Sequence, residues 1–188
     1  MTTTGLVLII AAVIVAAIAA WLFIRQKRSK ELRAQFGPEY EHAVRKFGDS
    51  SKAEGALQAR QKRVEKMQLR SLSLDERGRF ENSWHELQAR FVDDPPGSIE
   101  SADKLVCAVM QARGYAMSDF EGRAEDLSVD HAEVVRNYRA AHAIEVRRAN
   151  GHVSTEDLRQ AMVYYRDLFD ELLERQGAER KSGVPVAG

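Results

Sequence analysis

Residues 154–172 read STEDLRQAMVYYRDLFDEL. Leu158, Ala161, Met162, Tyr165, Leu168, Phe169 and Leu172 recur at steps of three and four, which puts them on one apolar face of a helix. Ser154-Thr155-Glu156-Asp157 supplies its N-terminal cap. Such a face has to be covered by other elements, and the segments able to cover it lie N-terminal to it.

Walking outward, Ser73-Leu74-Asp75-Glu76 is a capping box that opens a helix with Phe80, Trp84, Leu87 and Phe91 on one side. Asp93-Asp94-Pro95-Pro96-Gly97 ends that helix, and another is expected from about Ile99. It turns Ile99, Ala102, Leu105, Val106, Val109 and Met110 inward, with Gly114 as its C′ residue. Ser118-Asp119-Phe120-Glu121 reads as a further capping box, for a short helix to about Leu127. Ser128 or Asp130 is expected to cap the next helix, which runs to Asn150-Gly151. No run of alternating β-branched residues appears, and the connections are short. The fold class is all-α: an N-terminal transmembrane helix, a basic stalk helix, then a compact antiparallel helical bundle over 71–176 and a fraying tail over 177–188.

The transmembrane expectation rests on Gly5 to Ile24, GLVLIIAAVIVAAIAAWLFI, which has no charged residue. Twenty residues of helix reach about 30 Å, roughly the thickness of the bilayer's hydrocarbon core. MTTT before it has no Lys or Arg, so a cleaved signal peptide is not favoured and the span reads as an anchor. Residues 1–4 then lie outside, and Arg25, Lys27, Arg28, Lys30 and Arg33 hold the C-terminal part in the cytoplasm. Trp21, Phe23, Arg25, Lys27, Arg28 and Lys30 are the expected membrane-interface residues.

Formal charge sums to zero but is unevenly placed. Residues 25–70 carry 13 Lys and Arg against 6 Asp and Glu, while residues 71–188 carry 15 against 22. The basic half suits anionic headgroups. Within it, Phe36-Gly37-Pro38 and Gly48-Asp49-Ser50-Ser51 break the helix, and Lys52 to Leu69 reads as a charged helix. Ala53, Leu57, Arg60, Val64 and Met67 fall at heptad spacing, which suits a solvated stalk resting one edge on the distal domain better than a coiled coil. Arg60, Lys62, Arg63, Lys66 and Arg70 are expected to be solvated or to meet headgroups. No nucleic-acid motif accompanies them, so nucleic acid is not an expected partner. A single cysteine, Cys107, rules out an intramolecular disulfide and reads as a small buried hydrophobe.

Chemistry-bearing motifs are few. Glu39 and His42 form one E-x-x-H, where helical di-iron sites need two. Phosphate loops, H-E-x-x-H and the nucleophile elbow are absent, so no catalysis, metal or cofactor is expected. One polar stripe stands out. His131, Tyr138, His142 and Glu145 fall within about 60° of arc on one helix, interleaved with Val134 and Val135. Both histidines are expected as satisfied core residues, the alternative being a groove for a ligand or partner.

Several phrases carry a resemblance: FGPEYEHAV at 36–44, AEGALQARQKRVEK at 53–66, ARFVDDP at 89–95, LSVDHAEVVRNYRAAH at 127–142 and TEDLRQAMVYYRDLF at 155–169. They resemble a bacterial family of single-span, membrane-anchored helical proteins described as hypothetical or secreted. The resemblance implies a bacterial inner-membrane setting and carries over no activity, cofactor, partner or site residue. Together these readings describe a membrane-tethered interaction or scaffold module at the cytoplasmic face, binding another protein and able to oligomerise. The alternative is a ligand-binding domain or enzyme using the His131, Tyr138 and His142 stripe.

Overall fold

Glycine, proline and short polar caps cut the chain into helices. A computed structural model describes the backbone of residues 3–181 and the side chains of residues 11–173. Among the described residues there are eight helices and no strand: α1 (Thr3–Phe36), α2 (Pro38–Phe47), α3 (Ser50–Val64), α4 (Leu74–Arg90), α5 (Pro95–Ala112), α6 (Phe120–Asp130), α7 (Ala132–Ala149) and α8 (Thr155–Lys181). The chain divides into two compact units between Leu57 and Gln58.

In the first unit, Gly37 at φ +46° turns the chain out of α1, and Pro38 opens α2 where its missing N–H costs nothing. Leu32, Phe36, Tyr40 and Ala43 are buried. The Tyr40 hydroxyl donates to Glu54 Oε1 at 2.9 Å, and the Arg33 guanidinium lies 4.7 Å from the Tyr40 ring centre. Gly48, at φ +70°, closes α2 by donating to the Val44 carbonyl. The expected span over 5–24 begins at residues 5–10, which lie outside the described side chains, as do residues 1–4 and the tail over 177–188. Among the described residues no helix is long and apolar enough to cross a membrane.

The second unit is built on α4–α8. Its core is one cluster that draws on Trp84 and Leu87, Val106 and Met110, Ala124 and Leu127, Val135 and Tyr138, and the whole α8 stripe from Leu158 to Leu172. Trp84 stacks on Phe169 with ring centres 4.8 Å apart. Cross-links show the helix directions. Arg147–Asp157 and Asn137–Asp167 make α7 and α8 antiparallel. Tyr165–Asp103 and Arg113–Leu172 make α5 and α8 parallel. Parallel neighbours need not be consecutive in sequence, so short connections alone did not predict this pair.

Local endings depart from expectation in four places, the first being the charged helix expected to run to Leu69, which ends at Val64. Residues 93–97 do not merely end α4, because Asp94 accepts the Gly97 N–H at 3.0 Å and α5 starts at Pro95. Two prolines fit that first turn, whose amides have no helical partner. The cap of α6 is Asp119, bonded to the Gly122 N–H at 2.9 Å, not a Ser118–Glu121 box. Glu121 pairs with Arg139 instead. Neither Ser128 nor Asp130 caps α7; α6 runs through both, and His131 joins the helices without a side-chain cap. The Ser73–Glu76 box forms as expected. So does the Ser154 cap, with Asp157 accepting back from the Ser154 N–H. α5 ends as expected too, with Gly114 at φ +94° and the Tyr115 N–H returning to the Met110 carbonyl.

Candidate functional site

The expected polar stripe on α7 divides. His131 is buried at the start of the helix, where its Nδ1 lies 3.0 Å from Glu171 Oε1 of α8. Glu145 holds Arg148 in a two-point ion pair, at 2.7 and 2.8 Å. Tyr138 and His142, one turn apart, share a single environment, which the other helices complete.

That environment is a polar layer crossing α5, α6, α7 and α8. The Tyr165 hydroxyl donates to Asp103 Oδ1 at 3.1 Å, and the Cys107 thiol lies 4.0 Å from Asp103 Oδ2. Arg123 Nε donates to the Tyr138 hydroxyl at 3.3 Å, while its Nη1 donates to the Ser118 carbonyl at 2.7 Å. The Phe120 ring stacks on His142 at 3.6 Å, nearly parallel, and tilts against Tyr138 at 4.9 Å. Buried His142 Nδ1 has no hydrogen-bond partner among the described residues.

Burial favours the neutral forms of Tyr138, Tyr165, Cys107 and His142. Burial pushes both phenols, Tyr138 and Tyr165, far above the ordinary tyrosine range. Burial also raises the Cys107 thiol, with the Asp103 carboxylate adding to the effect. His142 is lowered, chiefly because burial disfavours the imidazolium. A thiol held in its protonated form is a poor nucleophile, and phenols this weakly acidic serve as hydrogen-bond donors. The arrangement can orient helices and offer one imidazole nitrogen. It does not present an activated nucleophile beside a base.

Sequence reasoning missed Asp103, Phe120, Arg123 and Tyr165 as members of this layer, and read Cys107 only as packing. A signal was present. Tyr165 falls on the apolar stripe of α8, and a buried tyrosine hydroxyl requires a partner. Asp103 and Cys107 sit one turn apart on the edge of the α5 stripe that faces it.

The other expected residues are placed as follows. Trp21, Phe23, Arg25, Lys27, Arg28 and Lys30 are all exposed on α1, with the Arg25 guanidinium 5.5 Å from the Trp21 ring centre. Glu39 is buried and His42 half-buried on α2, and among the described residues no three His, Cys, Asp or Glu are grouped to hold a metal ion. The basic set is not a uniformly solvated stalk. Lys62 and Lys66 are exposed, but Arg60 is only 2% exposed. Arg60 and Arg63 meet Glu125 and Asp126 of α6, and Arg70 meets Glu76. Acidic partners presented by α6 draw Arg60 off solvent, while Arg63 and Arg70 stay exposed at their ion pairs, which helical periodicity alone cannot reveal. An open groove of about 480 Å³ between α7 and α8, floored by Ala140, Ala143 and Ile144, contains no member of the polar layer.

No protein family matches the chain, and no solved structure does. A methylthioribulose-1-phosphate dehydratase from Debaryomyces hansenii is 32% identical over 90 residues, 48% of this chain. The chain spans only about a third of that protein's length, 31%.

Proposed function

We propose that this chain is a membrane-tethered helical interaction module, its C-terminal unit at the cytoplasmic face of a bacterial inner membrane. The observation that supports the tether is α1 itself. Val13, Ile14, Val15, Ile18, Trp21, Leu22, Phe23 and Ile24 are each more than half exposed around the helix. A large contiguous apolar surface is covered by lipid or by a partner in the working molecule. Residues 5–10 extend the same uncharged run towards a length that crosses a bilayer. The cations that follow favour the orientation with the C-terminal unit inside, their headgroup contacts anionic. An interaction role fits a second unit whose polar layer presents no activated nucleophile beside a base, and nothing in the partial likeness to the dehydratase brings that protein's activity here. Reporters fused after Gly188 test the topology. Cytoplasmic fluorescence without periplasmic phosphatase activity is expected, and strong phosphatase activity reverses the orientation. Full release of the chain by alkaline carbonate removes the tether.

A second reading, a ligand site using Tyr138 and His142, is favoured by one feature, the unpartnered Nδ1 of His142. It predicts that His142→Gln weakens capture of a co-purifying small molecule while leaving the thermal midpoint unchanged. A lowered midpoint with undiminished capture sinks it.

A further inference from the structure

Arg60 and Arg63 attach the end of α3 to α6 by charge. Arg60 Nη2 donates to Glu125 Oε1 at 2.9 Å, and its Nη1 reaches Ser128 Oγ at 3.5 Å. One turn on, Arg63 Nε donates to Asp126 Oδ1 at 2.6 Å and Nη2 approaches Glu125 Oε2 at 3.5 Å. Arg60, Asp126 and Ser128 are buried, so the Arg60 end of the cluster is interior, while Arg63 closes it from the half-exposed rim. The contiguous apolar core of the second unit takes side chains from α4 to α8 and, among the described residues, none from α3. Buried Val64 lies outside that cluster, and only beyond the helix do Met67, Leu69 and Leu72 pack in it or against it.

An attachment of this kind separates differently from an apolar one. Parting two apolar faces exposes hydrocarbon to water, and the loss scales with the area exposed. Parting a buried ion cluster returns both partners to water, and hydration offsets much of the lost attraction. The cluster therefore fixes the register of α3 strongly while holding it weakly. Segments held by few apolar contacts open at lower free energy than the core.

We infer that residues 58–64 form a strap, latched to α6 by this ion cluster, which opens and recloses while α4–α8 stay packed. Opening uncovers Glu125 and Asp126 on α6 as an acidic face. Hydrogen–deuterium exchange on the full chain in mild detergent tests the strap. In the wild type the amides of 58–64 exchange at least tenfold faster than the core amides of α5 and α8. In the Glu125→Gln/Asp126→Asn double variant they exchange at least a further tenfold faster, with α5 and α8 unchanged. Arg63→Gln alters a half-exposed side chain and serves if the double variant does not fold; it speeds strap exchange severalfold. Equal protection of strap and core in the wild type overturns the strap. So does a uniform loss across α4–α8, or strap exchange unmoved in whichever variants fold.

Discussion

α8 and α3 both turn one helical seam inward, and the α3 seam differs in carrying a buried charge among its apolar residues. The α8 seam is Leu158, Ala161, Met162, Tyr165, Leu168, Phe169 and Leu172, every one buried. The end of the α3 seam is Arg60 and Val64, also buried, with the arginine paired to acids of α6. Periodicity is the same in both. What differs is the kind of work that separates each from its neighbours: exposing hydrocarbon in one case, rehydrating charges as well in the other. The lesson is that burial alone does not rank the strength of two contacts.

The largest effect is expected where α8 meets α4. Trp84→Ala removes the ring stacked on Phe169 and should cost about 3–5 kcal/mol in urea unfolding followed by circular dichroism. A loss below about 1 kcal/mol would mean that the α8 seam is no stronger than the α3 seam. Next comes Gly114→Ala. The residue is at φ +94°, and a Cβ there would lie 2.6 Å from the Gln68 carbonyl oxygen. Backbone cannot swing aside as a side chain does, so about 1–3 kcal/mol is expected by the same measurement. An unchanged midpoint would show that the approach to Gln68 relaxes freely.

Arg63→Gln should barely move global unfolding, by less than about 0.5 kcal/mol, because its side chain is 45% exposed and acts on the strap alone. A shift as large as that of Trp84→Ala would place α3 in the same cooperative block as α8. The smallest effect concerns the polar layer inside the apolar contact. The folded state holds His142 below its ordinary pKa, so below about pH 6.5 the unfolded chain binds that proton more readily. Stability contributed by neutral His142 is thus present above that pH and is lost as pH falls through the folded value. The thermal midpoint of the wild type should fall between pH 7.5 and 5.5, and His142→Gln should flatten part of that slope. Identical slopes would show that His142 titrates as freely in the folded chain as in the unfolded one.

Much of the architecture was legible in the sequence because caps and stripes are local. Ser73 with Glu76, Ser154 with Asp157 and Gly114 act within a few residues of themselves. The α8 and α5 stripes followed from spacing alone. Illegible features were those decided by a partner far along the chain. Arg60 reads as a solvated stalk charge until Glu125 is placed beside it, 65 residues away. Tyr138 and His142 were singled out correctly as polar positions on an inward face, but Asp103 and Arg123 came from other helices. His131 shares their stripe yet belongs to Glu171, because a stripe longer than two turns meets more than one neighbour.

Cys107 gives the chain a native clock. It is the only thiol, half-buried one turn from Asp103, and its deprotonation is held back by burial. An alkylating reagent needs both access and thiolate, so it will act on this residue mainly in the fraction of time that α5 parts from its neighbours. Modification followed by intact mass therefore times the breathing of the four-helix layer at one known atom, with no substitution introduced and no spectroscopic probe attached.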